Sequence, residues 1–492
     1  SVSAAVPAAS PAKRSYFWPV VAGGLAVAVL LLLALLLPFT AAPAEAIDSI
    51  AVLPFENVSG DPELEYLSDG IADSITNSLS QIANLRVMSS TSVRRYKGTS
   101  PDPQLVGKEL NVKAVVVGRV LQASDDLSIN IELIDTQNNA QLWGGRYERR
   151  LADVLGMKQE IAQEISGNLH LELSGEQQEQ IAKQGTDNPE AYQDYLQGLY
   201  HWNTRTPEGF ERALGYFQSA IDKDPTYAQA YSGLSDTYFL QAVYGGRSIN
   251  EFLDLERSAA QRALELDETL AEAHASMGSI KSMHEWDWEA GDDHFKRAIE
   301  LNPSYFRVYQ TYANLLKAQG RFAEYREVYN KALALDPLSA QLLVQHSGFL
   351  ISQGDHEEAV RLAEKAFELA PDSPATPGAL FNAYWYAGMH NKALAHSEKN
   401  FPPDYTKFYG QLAEGNLVEA RATLESWEGL PHFVKGFRYA MLGEKDLAIE
   451  WLTKAVDERY NYVIFYKTNF QFELIRDDPR FQELLRRINL EP

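Results

Sequence analysis

The sequence predicts an α+β protein in three parts: a transmembrane helix, a small α/β domain of one mixed sheet plus helices, and an all-α solenoid of helix pairs. Three observations carry this prediction. Pro303, Pro337 and Pro371 stand 34 residues apart, and Gly320, Gly354 and Gly388 keep the same step. No residue from Ser15 to Ala44 is charged. Between that run and the repeats, short β-rich segments alternate with helical stripes. The implied boundaries are a juxtamembrane linker at 1–14, a transmembrane helix at 15–39, a linker at 40–46, the α/β domain at 47–174, a linker at 175–187, and the solenoid with a C-terminal cap at 188–492.

The chain opens with an Ala-, Ser- and Pro-rich stretch, Ser1 to Pro11, which reads as a flexible linker and suggests the C-terminal part of a longer protein. Val20 to Leu37 is almost wholly Val, Ala, Gly and Leu, and about 20 apolar residues span a bilayer as a helix. A signal peptide is the competing reading, helped by Ala41-Ala42-Pro43-Ala44. Against it, the run exceeds a usual signal core, and Tyr16, Phe17 and Trp18 supply an interfacial aromatic belt. Lys13 and Arg14 precede the run while Glu45 and Asp48 follow. The positive-inside rule therefore puts the N-terminus in the cytoplasm and the bulk of the chain in the periplasm of a bacterium, anchored in the inner membrane.

At 492 residues and 45% hydrophobic content, the chain can fold two or three domains. Its net charge of −23 repels phosphate backbones, which argues against nucleic-acid binding. The absence of cysteine removes disulfides, thiolate catalysis and cysteine-ligated zinc.

Within the α/β domain, Ser49 to Phe55 and Leu85 to Ser89 read as strands. Leu67, Ile71, Ile75, Leu79 and Ile82 form a helical stripe, and Asp102-Pro103 starts a helix to Leu110. Ala114 to Gln122, Leu127 to Asp135 and Gln141 to Glu148 make a three-strand meander, and a helix closes the domain from about Asp153 to Leu171. In the solenoid, each glycine closes a first helix and each proline follows a second one, where it cannot continue the helical hydrogen bonds. Second helices carry a bulky residue three before an alanine, as in Phe217 to Ala220, Phe295 to Ala298 and Tyr329 to Ala332. The period is late by about eight residues across Tyr244 to Ser248 and contracts after Pro371, giving about eight helix pairs in all.

These small, Gly, Ala, aromatic and Pro positions resemble the tetratricopeptide repeat (TPR). Ile50 to Phe55, Tyr66 to Ile71, Gly118-Arg119-Val120 and Gln141-Leu142-Trp143 are similar to the TolB amino-terminal-like domain. The pairing of that domain with TPRs resembles the extracytoplasmic half of bacterial receptors that carry a serine/threonine kinase, a class III adenylate cyclase or a winged-helix domain before the membrane helix. Tyr200 to Asn203, Arg205 to Gly209 and Asp478 to Phe481 are also similar to that family. The resemblance implies a sensory or docking role, with a protein or peptide partner and dimerisation as a route to signalling. A membrane-tethered scaffold without cytoplasmic output is the competing reading.

No enzyme is expected within these residues, and no cofactor: the sequence has no glycine-rich phosphate loop, nucleophile elbow or His-Glu-x-x-His helix. His284 and His294, around Trp286, Asp287, Asp292 and Asp293, are read as helix caps facing solvent rather than metal ligands. Asp135 to Asn139 is read as a hairpin turn, Trp143 and Tyr147 as core, and Asp69 and Asp73 as carboxylates near a helix start that also offer a partner contact. For the groove, offsets from the proline junctions place Gln229, Ser232, Asp236, Arg307, Gln310, Asn314, Gln341 and Gln345 on its concave face. These are polar side chains suited to hydrogen bonding an extended peptide. A chaperone-type carboxylate clamp would find only Asn314 and Arg307.

Overall fold

The structure, a computed structural model, describes residues 47–490 apart from 124–125, 151–152, 170, 172–174, 176–177, 179–184 and 245–248. The uncharged run Ser15–Ala44 and most of the insertion after Tyr244 lie outside the described residues. Among the described residues no helix is long and apolar enough to cross a membrane.

Period-2 alternation builds the first sheet. In β1 (Ser49–Val52), Ile50 and Val52 face one core while Ala51 and the following Leu53 face another. β1 lies between β3 (Arg86–Val87) and β4 (Ala114–Ala123), parallel to both, and β2 (Glu56–Asn57) also pairs parallel with β4. β4, β5 (Asp126–Asp135) and β6 (Gln141–Arg150) form the expected antiparallel meander, so the sheet order is β3-β1-β4-β5-β6. The hairpin after β5 closes through Asp135 N–H to Ala140 O at 2.9 Å, with Asn139 left-handed at φ 55°. One face of the sheet carries α1 (Glu65–Ser80) and α4 (Val154–Asn168). The other carries α2 (Ser90–Val93) and α3 (Pro103–Leu110), the latter capped by Asp102.

Among the described residues eight helix pairs follow: α5 (Pro189–Trp202) and α6 (Pro207–Lys223), α7 (Ala228–Tyr244) and α8 (Leu253–Leu266), α9 (Ala271–Ser279) and α10 (Trp288–Leu301), α11 (Phe306–Gln319) and α12 (Phe322–Leu335). They continue with α13 (Ala340–Gln353) and α14 (His356–Leu369), α15 (Ala375–Tyr386) and α16 (His390–Asn400), α17 (Pro403–Ala413) and α18 (Leu417–Ser426), and α19 (His432–Met441) and α20 (Lys445–Asp457). Two 3₁₀ turns, Asn461–Phe465 and Phe470–Ile475, and α21 (Pro479–Arg487) are the last described elements. The bulky-then-alanine pattern is the packing rule: Phe217 is fully buried, and a Cβ on Gly198 or Gly233 would come within 2.5 Å or 2.8 Å of its ring.

The α/β domain and the first repeats share a single hydrophobic core. Leu67, Ile71 and Ile75 of α1 belong to the same cluster as Tyr192 and Leu196 of α5 and Phe217 of α6. Gly70 permits that approach, since a Cβ there would stand 2.8 Å from Leu196 Cδ2. Polar contacts extend the junction along one edge of the solenoid. Asn302 donates to Ser80 Oγ at 2.9 Å, Val87 N–H donates to Ser304 Oγ at 3.2 Å, and Arg86 donates to Ala334 O at 2.8 Å. Further along that edge, the buried Asp336 accepts from the hydroxyls of Ser89 (3.1 Å) and Ser92.

Candidate functional site

The predicted groove residues fall into two groups. Gln229, Ser232 and Asp236 recur along one face of α7, and Arg307, Gln310 and Asn314 do so along α11. Asp236 and Arg307 meet as an ion pair at 2.5 Å, and Ser276 donates to the same carboxylate at 2.7 Å. The Arg307 guanidinium also lies 4.9 Å over the Trp202 ring, on which Arg205 stacks at 3.7 Å. Ser232 is buried with its hydroxyl unpartnered among the described residues, and Gln229 packs against Gly185 of the linker, where a Cβ would stand 2.7 Å from Gln229 Oε1. These four side chains are therefore engaged or covered by the chain itself.

The second group is more open. Gln345 donates to Asn314 Oδ1 at 3.3 Å, Gln310 is half-buried and Gln341 is exposed. Lys317, one turn beyond Asn314, has no carboxylate partner among the described residues, and burial lowers its ammonium pKa to about 8. It lies 5.1 Å from the Phe465 ring, because the end of the chain returns across the solenoid. Phe470 stands edge-on to Tyr386 at 4.8 Å and Gln471 donates to the Tyr386 hydroxyl. Trp288 Nε1 donates to Ile488 O at 3.0 Å. Periodicity within the repeats does not register this return, so Lys317 and the segment facing it have no signal in the sequence.

Several side chains at the junction carry unusual electrostatics. Burial pushes the Asp73 carboxyl up, against the pull of Arg94 and hydrogen bonds from Ser90 and Asn203. Burial likewise raises Glu272, which is bonded to Asn77 of α1. Asp69 instead pairs with Lys97 at 2.5 Å. The sequence places both carboxylates at the start of this helix, but α1 begins at Glu65, so Asp69 and Asp73 lie further along it as an internal ion pair and a domain-docking carboxylate. His284 corrects the solvent-facing expectation. A π turn at Ile280–His284 rotates its ring into the interior at 0% exposure, 5.9 Å from Phe239, and burial lowers its pKa to about 3. Asp287, not a histidine, caps α10. His294 Nδ1 lies 3.0 Å from His274 Nδ1. Tyr147 is core and Trp143 packs beside it. Among the described residues, no group of three or more His, Asp or Glu side chains is placed to hold a metal ion.

Family models for the tetratricopeptide repeat match residues 306–347 and 340–373, within the helix pairs α11 to α14. Residues 306–373 thus carry tetratricopeptide repeats. Residues 45–173 match the HilA/YgeH-like transcriptional regulator, second domain. The TolB-type resemblance of the α/β domain rests on the motifs quoted above. A Rhizobium meliloti protein named "Putative adenylate cyclase 3" is 34% identical over 236 residues, 46% of this chain and 39% of that protein. The Salmonella typhimurium transcriptional regulator HilA is 21% identical over 66% of this chain and 57% of its own length. The chain thus spans less than two thirds of either relative. Among solved structures, a thermophilic TPR protein of Thermus thermophilus aligns with a TM-score of 0.34 and 15% identity, over 40% of this chain and 99% of that one. An IFIT1 monomeric mutant solved with m7Gppp-AAAA aligns with a TM-score of 0.43 and 16% identity, over 68% and 75%.

Proposed function

We propose that this TPR protein is the recognition region of a bacterial membrane signalling receptor. In this reading, residues 15–39 anchor it in the inner membrane and the body lies in the periplasm. It binds a protein or peptide partner along Gln310, Asn314, Gln341 and Gln345. The observation that carries the reading is the core shared by α1, α5 and α6. A partner that prefers one arrangement of the repeats must also bias the α/β domain, which follows residues 15–39 in the sequence, because the two cannot repack independently. The names of the two relatives, a cyclase and a transcriptional regulator, support a signalling context.

The test places a photo-crosslinking amino acid at Gln341, with Arg361 on the exposed side of α14 as the control, in membranes of the native host. A discrete adduct at 341 that is absent at 361, and that is reduced at least about five-fold by Asn314→Ala with Gln345→Ala, is the expected result. Identical adduct patterns at both positions would sink the groove reading. An adduct whose loss leaves every cytoplasmic output unchanged would move the protein to an envelope scaffold.

A further inference from the structure

The third repeat breaks the rule of its neighbours at one residue. First helices of the next three repeats end at glycines with left-handed backbones: Gly320 (φ 78°), Gly354 (80°) and Gly388 (73°). One period earlier the same place holds Trp286, also left-handed at φ 56°. A bulky L-residue is strained in that conformation, so the repeat keeps an indole where its own pattern supplies glycine. The surroundings fix the ring in place. Asn489 donates to Trp286 O at 3.2 Å, and the Arg459 guanidinium covers the ring at 5.0 Å.

Beside this indole opens a cavity of about 620 Å³, bounded also by Trp288, Asp287, Glu289, Asp292 and Arg321. Its inner charges are already spoken for. Asp292 takes Lys296 at 2.5 Å, Arg321 at 2.7 Å and the Tyr312 hydroxyl at 2.8 Å, while Arg321 also holds Glu324 at 2.6 Å. Its rim charges are not. Asp287 accepts from Ala290 N–H (3.2 Å), Glu289 is exposed, and neither has a cationic partner among the described residues. Trp286 Nε1 has no acceptor among the described residues.

We infer that this cavity receives an arginine side chain of a protein partner, packed against the Trp286 and Trp288 indoles that line it and paired with Glu289 and Asp287. The inference rests on the protein-recognition reading and adds a second anchor to it. A guanidinium is planar, so it can lie on an indole while its donors reach two carboxylates at once. An ammonium offers no such plane. The net charge of −23 draws a cationic surface towards the site during encounter.

The probe is N-acetyl-arginine methylamide, titrated into the full chain labelled with 5-fluorotryptophan and followed by fluorine NMR. The expected result is a saturable shift of the Trp286 and Trp288 signals, with a dissociation constant on the order of 1–10 mM. Glu289→Gln, an exposed change, should weaken it about five-fold. Trp286→Gly restores the residue that the period holds elsewhere but removes an indole packed on the core, so it should abolish the Trp288 shift while the remaining tryptophan signals, unchanged, report an intact fold. The inference is overturned by an absent or non-saturable shift, by an equal response to the capped glutamine analogue, or by Trp286→Gly binding as the parent does. Free L-arginine binding about ten-fold tighter than the capped probe would also overturn it, in favour of a free amino-acid ligand. The probe never engages Gln341. Loss of the shift with an intact Gln341 adduct therefore removes this site alone, and the converse removes the groove alone.

Discussion

Truncating Leu196 to alanine is expected to lower the unfolding free energy by about 2–5 kcal/mol, and to weaken the β-sheet and the first repeats together. Leu196 is fully buried and lies on Gly70 at the contact between α5 and α1. A cavity there removes contacts from both sides of the joint core, which extends from β4 and β5 through α1 to α6 and α7. Close packing leaves neither side able to collapse without the other. Amide hydrogen exchange provides the measurement, since it reports the opening free energy of each segment separately. Amides of Ile129 and Ile131 in β5 should lose protection in step with those of α6. If the sheet amides keep their parent protection while α5 and α6 lose theirs, the domains are separate modules and the coupling argument collapses.

The second large effect concerns acidity. Asp336 is 0% exposed and among the described residues has hydroxyl partners but no cation, and burial pushes its carboxyl up from 3.8 to about 6. The folded-state value is the higher one, so protonation favours the folded junction. That stabilisation is fully present below about pH 4 and is lost as pH rises through about 6. A rise of this size corresponds to about 3 kcal/mol, so the junction should lose about 2–3 kcal/mol between about pH 4 and about pH 7. Asp73, Glu256 and Glu272 are raised in the same direction by burial, so the parent protein carries a summed trend. Asp336→Asn isolates one contribution. Its unfolding free energy should exceed that of the parent by about 2 kcal/mol near pH 7, with the gap closing towards about pH 4. A gap that stays constant with pH would mean that Asp336 is not the titrating group.

What the sequence revealed, it revealed through local rules. The meander was legible because β4, β5 and β6 alternate in and out and are joined by polar turns. The repeats were legible because left-handed helix ends select glycine and because proline stops second helices. The same logic explains what was hidden. Trp286 sits where glycine would have flagged the third repeat, so a π turn and a buried His284 went unread. Helical spacing puts Gln229, Ser232 and Asp236 on one face of α7, yet the ion pair between Asp236 and Arg307 depends on how α7 and α11 are stacked. Asp336 to Ser89, Gly70 to Leu196 and Lys317 to Phe465 join positions far apart in the chain. No periodic pattern records such pairs, because each is fixed only after the helices have stacked.

The bond from Trp288 to Ile488 has a consequence for how this protein can change over time. An open array of repeats tolerates the gain or loss of a unit, because each unit answers only to its neighbours. Here the array is fastened at both ends: α1 grips the first pair, and the last described turn of the chain is tied to the third. Deleting one repeat unit between α11 and α16 would shift every later helix by a full step of the superhelix, and Ile488 would no longer meet Trp288. The repeat number is thus a structural constant of the molecule rather than a variable. Lineages that change it must also give up the closure or rebuild the segment that makes it.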